Sequence, residues 1–195
     1  LHSDPEVLDS VRDRYAAGAA DRVPELCCPV AYDASLLEVL PDEIIERDYG
    51  CGDPSKFVER GDVVRDLGSG AGKICYMASQ LVGPEGRVIG VDTTDEMLAL
   101  AREHEGSIGD RIGWHNVDFR RGMIQDLSLD HDRLAEWMAA HPVTDLAGRE
   151  ALQAEEARLR REEPLVADGS VGLVLSNCEL NLVASAEVEA EANIY

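Results

Sequence analysis

Between residues 60 and 127, short apolar runs alternate with stretches whose apolar positions return every three or four residues. Val63, Val64 and Leu67 suit a buried strand over 63–67, and Lys73 to Val82 carries a helical pattern closed by Gly83. A second strand is expected at Arg87 to Val91, a second helix at 95–104 and a third strand at 112–119. Asp95 is the expected cap of that second helix, with Met97, Leu98, Leu100 and Ala101 facing the sheet. Val171 to Leu175 reads as a fourth strand. Strands alternating with helices predict an α/β fold, a doubly wound and mostly parallel sheet with right-handed crossovers.

The flanks are patterned differently. Asp4-Pro5-Glu6 has the form of a helix start, and Val7, Leu8, Val11 and Tyr15 supply its apolar face. Leu36 to Arg47 is expected to be helical with a break near Pro41. Over 128–167, Leu134, Trp137, Met138 and His141 share one helical face, and Ala147 to Glu163 is charged and alanine-rich. That segment is expected to be a helical hairpin inserted between strands three and four, solvated outside and peripheral to any chemistry. The organisation is thus one domain over 1–195. Residues 1–60 form an N-terminal cap with cysteine loops, 61–127 the core, 128–167 the insertion, and 168–195 strand four and a tail.

One junction carries more than packing. Asp66-Leu67-Gly68-Ser69-Gly70-Ala71-Gly72 joins the first strand to the first helix, and its alternate glycines allow a sharp turn and close approach of a ligand to the backbone. The next strand ends in Asp92, about twenty residues after the glycines, where a carboxylate suits a ribose diol. The Asp-x-Gly-x-Gly-x-Gly spacing differs from the Gly-x-Gly-x-x-Gly of dinucleotide enzymes.

Composition narrows the partners. With 18 basic and 39 acidic residues the net charge is −21, which argues against a nucleic-acid backbone as partner. No apolar run approaches a membrane span. Cys27, Cys28, Cys51, Cys75 and Cys178 make an odd set without disulfide-framework spacing, so a reducing, cytoplasmic compartment is expected. The five histidines show no metal-ligand spacing. Cys51 is flanked by glycines, which favours an accessible thiol, and Cys75 inside the first helix reads as a core residue.

The glycine turn with Gly90-Val91-Asp92 resembles class I S-adenosylmethionine-dependent methyltransferases. Asp48-Tyr49-Gly50-Cys51-Gly52, Lys73 to Gly83, and Ser176-Asn177-Cys178-Glu179-Leu180-Asn181-Leu182-Val183 resemble the arsenite methyltransferase branch of that fold. The resemblance covers most of residues 7–127 and 168–183. It implies S-adenosylmethionine as cofactor, with Asp66, Gly68, Ser69, Gly70, Gly72, Asp92, Thr93, Met97, Met123, Ile124 and Asn177 around it. Gln125 is a further candidate beside the adenine, and Met123 stands where many relatives carry an acid. The resemblance also implies that Cys51, Cys178 and one of Cys27 or Cys28 hold trivalent arsenic, as arsenite or a methylated arsenical, with a thiol reductant as partner, in a detoxifying reaction. Soft arsenic favours thiolates by the logic that sends soft metals to cysteine.

Arg65 in a strand position, Gly172 and Glu179 depart from that pattern. The seven-stranded sheet of the family has only four counterparts in this chain, so a fold truncated after the fourth strand and a piece of a longer protein are expected. Three other readings fit the same residues: a methyltransferase for another small oxygen, nitrogen or sulfur nucleophile, a non-catalytic thiol-based arsenic or metal binder, and a zinc site on Cys27, Cys28, Cys51 and Cys178.

Overall fold

A computed structural model describes residues 13–19, 30–47, 49 and 52–177. The expectations for the helix start at Asp4, for Cys27, Cys28, Cys51 and Cys178, and for Glu179 and the tail lie outside these residues. Helical residues 13–19 (α1), α2 (Ala34–Leu37), α3 (Asp42–Glu46) and a 3-10 turn at Pro54–Phe57 precede the core. The core then runs β1 (Val63–Leu67), α4 (Lys73–Val82), β2 (Arg87–Asp92), α5 (Asp95–Ile112) and β3 (Val117–Arg121). The hairpin α6 (His131–Ala140) and α7 (Leu146–Glu162) leads into β4 (Leu173–Ser176). The sheet order is β3-β2-β1-β4 and every pairing is parallel, so the α/β expectation holds.

Register sorts the strand residues into two faces. Val64 pairs with Val88 and Leu173, and Asp66 with Gly90 and Leu175. These residues join Val117 and Phe119 beneath α4 and α5, where Ile74, Met77, Met97, Leu98 and Ile108 complete the main core. A fully buried side chain such as Leu98 contributes about 1.5–3 kcal/mol there. Gly90 is required by packing: a Cβ would lie 2.7 Å from Phe119 and 2.9 Å from Cys75 Sγ. On the opposite face Ile89 and Val91 meet Leu165 and Val166 in a smaller core.

Several boundaries differ from the pattern-based expectation. The second helix continues to Ile112, and the third strand begins at Val117 rather than 112. The extension buries Ile108, and Gly109 makes room for the His115 ring, which a Cβ would meet at 2.2 Å. Gly113 ends the helix with φ 92°. Thr94, not Asp95, is the N-cap; Asp95 lies in the first turn and pairs with Arg121 at 2.9 Å. Strand four is displaced to 173–176, with Ser176 beside Leu67. The break at Pro41 separates α2 from α3 as expected.

The hairpin forms, capped by Asp130 and Asp145, and α6 buries none of its residues. His141 stacks on Trp137 with ring centroids 4.4 Å apart, a surface contact. The flanks of the 128–167 segment are nevertheless structural. Leu129, Leu159, Leu165 and Val166 are buried, and Arg120 donates to the Leu165 carbonyl. Replacing the whole segment by a short linker would therefore remove part of the second core.

Candidate functional site

The carboxyl ends of parallel strands are where a ligand finds unpaired backbone and helix N-termini. Here the amides of Gly68 and Ser69 both donate to the Val91 carbonyl, at 2.8 and 3.0 Å, pinning the turn after β1 onto β2. Gly68, Gly70 and Gly72 have φ of 73°, 52° and 86°, the left-handed region that glycine enters without strain. At Gly72 a Cβ would also meet Phe119 at 2.6 Å, whereas nothing lies within 4 Å of a Cβ at Gly70. Gly70 thus borders open space.

Two buried carboxylates flank this turn. Asp66 lies on the α4 face of the sheet and accepts a hydrogen bond from the Cys75 thiol at 3.3 Å. Asp92 accepts from the Gly70 amide at 2.8 Å and the Thr94 amide at 2.7 Å. Burial pushes the Asp92 carboxyl up, and the amide donors at Thr94 and Gly70 oppose that shift. Burial, followed by the neighbouring Asp66 charge, raises Cys75 well above the ordinary thiol range and keeps it protonated. Cys75 is fully buried, as a core residue should be. Ser69 Oγ is also buried and finds no hydrogen-bond partner among the described residues.

The other expected residues gather unevenly around this edge. The Gly122 amide donates to the Asp92 carbonyl at 3.0 Å, so the chain carrying Met123 and Ile124 leaves the sheet beside the end of β2. Met123 bridges to Asp126, and both Met123 and Ile124 are partly exposed, while Gln125 is exposed. Thr93 is exposed next to Asp92, whereas Met97 is buried within the main core. Asn177 follows β4 and its side chain engages Gly52.

The sequence pattern missed one residue here, Lys73, and the structure places a second, Arg65, that the sequence itself marks as a departure. Lys73 opens α4 directly behind the glycine turn and is buried, with Nζ 3.7 Å from the centre of the Tyr32 ring. A cation at a helix N-terminus opposes the helix dipole, and the aromatic face offsets that cost. A lone lysine after three glycines was visible in the sequence; its aromatic partner, 41 residues away, was not. Arg65 projects from the other face with Nε buried and unpartnered among the described residues; desolvation lowers its pKa and Asp168 opposes the shift. A separate charged cleft of about 440 Å³ lies between β3 and the hairpin, and its Arg120 and Arg133 are already paired with Asp118 and Glu163.

Among the described residues no helix is long and apolar enough to cross a membrane. The family model for a methyltransferase domain matches residues 59–188. The chain is 34% identical over 182 residues to an arsenite methyltransferase of Aquipseudomonas alcaligenes, covering 89% of this chain and 42% of that protein. It is 35% identical over 155 residues to one of Halobacterium salinarum, covering 78% and 29%. Among solved structures it is similar to an arsenic(III) S-adenosylmethionine methyltransferase from Chlamydomonas reinhardtii, with a TM-score of 0.49 and 30% identity over 76% of this chain and 39% of that one. The chain spans less than half the length of these curated relatives.

Proposed function

The chain belongs to the methyltransferase domain family, and from that premise we propose that it binds S-adenosylmethionine at the carboxyl ends of β1 and β2 and methylates trivalent arsenic held by cysteine thiolates. The observation that carries the cofactor half is the glycine turn between two buried acids, where, among the described residues, nothing fills the space above Gly70 and the Ser69 hydroxyl beside it has no hydrogen-bond partner. This donor set fits the cofactor. Asp92 would accept from the ribose hydroxyls, Asp66 and Ser69 would line the turn, and Gly68, Gly70 and Gly72 would let the ligand lie against backbone. Thr93, Met123 and Ile124 would border the adenosine. When bound, the cofactor supplies an electrophilic methyl group on a sulfonium. The protein's own contribution is proximity and in-line orientation.

The arsenic half rests on the sequence resemblance and on relatives named arsenite methyltransferases. Cys51, Cys178 and one of Cys27 or Cys28 are the assigned thiols. They act as thiolates, so binding arsenite releases protons and strengthens as pH rises toward the thiol pKa. A reducing, cytoplasmic setting and a small-thiol reductant suit that chemistry, because disulfides would remove the ligands.

The test is incubation of the chain with arsenite, S-adenosylmethionine and a thiol reductant, with methylated arsenic sought by mass spectrometry. Arsenite binding is measured in parallel on Cys51→Ser and Cys178→Ser, each of which is expected to lose tight binding. If both variants bind arsenite as the parent does, the arsenic assignment fails. A cofactor-binding chain with no methylated arsenical would then point to another small nucleophile.

A further inference from the structure

The turn that follows β3 keeps its shape with little packing. Met123, Ile124 and Asp126 are only partly buried, and Gln125 is exposed. The Asp126 amide donates to the Met123 carbonyl at 3.0 Å and closes the turn. Both oxygens of the Asp126 carboxylate are occupied. Ser128 Oγ donates to Oδ1 at 2.8 Å. Arg160, 34 residues further along and on α7, donates to Oδ2 from Nε at 2.9 Å, and its Nη2 stands 2.9 Å from the same oxygen. Arg160 Nη1 donates to Glu156 Oε2 at 3.3 Å, which steadies the guanidinium from the far side. Burial pushes the Asp126 carboxyl up, but the Arg160 and Ser128 donors outweigh it and hold the group below the ordinary carboxylate range. The chain after the hairpin adds two ties. The Leu165 amide donates to the Ser128 carbonyl at 3.0 Å, and Leu165 packs so near Gly122 that a Cβ there would lie 2.5 Å from it.

We infer that Arg160 is a positioning residue for the adenosine end of the cofactor: by gripping Asp126 from α7, it holds the turn at 123–126 in the shape that the ring must meet. This rests on the proposed function in placing the adenosine beside Met123 and Ile124. Arg160 acts through Asp126 and not on the ligand. A turn shaped in advance spares the ligand the cost of ordering it. An exposed ion pair by itself contributes little stability. Here two N–H groups of one guanidinium converge on one carboxylate oxygen, and they join a helix to a turn that packing does not hold. The pair therefore constrains shape more than it adds stability. The hairpin, solvated along α6, reaches the cofactor edge of the sheet through this one residue of α7.

The experiment titrates S-adenosylmethionine into the chain by calorimetry and follows backbone amide exchange over residues 122–129, with and without cofactor. In the parent the cofactor is expected to slow exchange in this segment. Arg160→Met is expected to weaken cofactor affinity about fivefold and to speed exchange of the Asp126 amide in the free protein, with little change in the thermal midpoint. Arg160→Lys keeps the charge without the planar fork and should fall between. Asp126→Asn removes the charge at the other end, should also weaken binding, and serves if the methionine variant does not fold. Combined with Arg160→Met it should cost no further affinity, because both changes cut the same link. Arg161→Met, at the exposed neighbour that pairs with Glu162, should bind as the parent does. Parental affinity in Arg160→Met, or losses that add in the double variant, overturns the inference; cofactor protection of 122–129 in the parent would still leave the adenosine placement standing. An equal loss in Arg161→Met would reduce the effect to overall charge and overturns it too. Cofactor binding that leaves exchange over 122–129 unchanged in the parent overturns the adenosine placement, and the inference with it.

Discussion

Replacing Asp92 by asparagine separates its charge from its shape. In the folded protein its carboxylate is buried and receives the Gly70 and Thr94 amides at 2.8 and 2.7 Å. Two effects on stability oppose one another. The raised pKa means that the ionised form is disfavoured in the fold: the stability contributed by the protonated carboxyl is complete below the ordinary carboxylate value of 3.8 and is lost as pH rises through the folded value. At neutral pH asparagine relieves that cost. Against this, the amide offers only one oxygen, so one buried N–H loses its acceptor, a cost of about 1–3 kcal/mol. The net change in unfolding free energy should therefore be small, within about 2 kcal/mol. Cofactor affinity should respond more clearly. Losing charge-assisted hydrogen bonds to the ribose costs about 1–3 kcal/mol, roughly 5- to 150-fold in Kd. Isothermal titration of S-adenosylmethionine into parent, Asp92→Asn and Asp92→Ala measures this, with thermal unfolding run alongside. The parent should also bind more weakly as pH falls through the raised Asp92 value, and Asp92→Asn should lose that dependence. Equal affinities in all three proteins, all folded, would refute the ribose assignment.

Two glycines of the turn should behave differently. Gly72→Ala combines a φ of 86° with a contact at 2.6 Å to Phe119, so thermal unfolding should report a loss of about 2–5 kcal/mol. Gly70→Ala meets no atom, should cost only about 1–2 kcal/mol of backbone strain, and should weaken cofactor binding by filling the space above the turn; equal stability losses would contradict this division. Cys75, buried and raised above the ordinary thiol range, should resist iodoacetamide in the native protein at neutral pH and react only on unfolding. Native labelling of Cys75 at the denatured rate, read by peptide mapping, would show that the helix opens or that the thiol is not held on Asp66.

What the sequence determined by itself was local. The first strand and helix, at 63–67 and 73–82, fall where the pattern put them, because a glycine turn marks the boundary between two clear periodicities. Alternation of strands and helices was enough for a parallel α/β sheet, since short crossovers leave little other topology. The turn and Asp92 were also legible, because the chemistry of a strand end depends on few residues. Tertiary structure decided the rest. The second helix outran its pattern by eight residues because Ile108 found a core and Gly109 a neighbouring ring. The outer insertion proved solvated while Leu165 and Val166 at its C-terminal end entered the sheet's second core, which depends on what faces Ile89 and Val91. The pairing of Gly52 with Asn177, and of Lys73 with Tyr32, had no local signal at all. Hydrogen bonds and ring contacts between distant segments are set by where the sheet brings chain ends together, and no periodicity along the chain encodes that meeting.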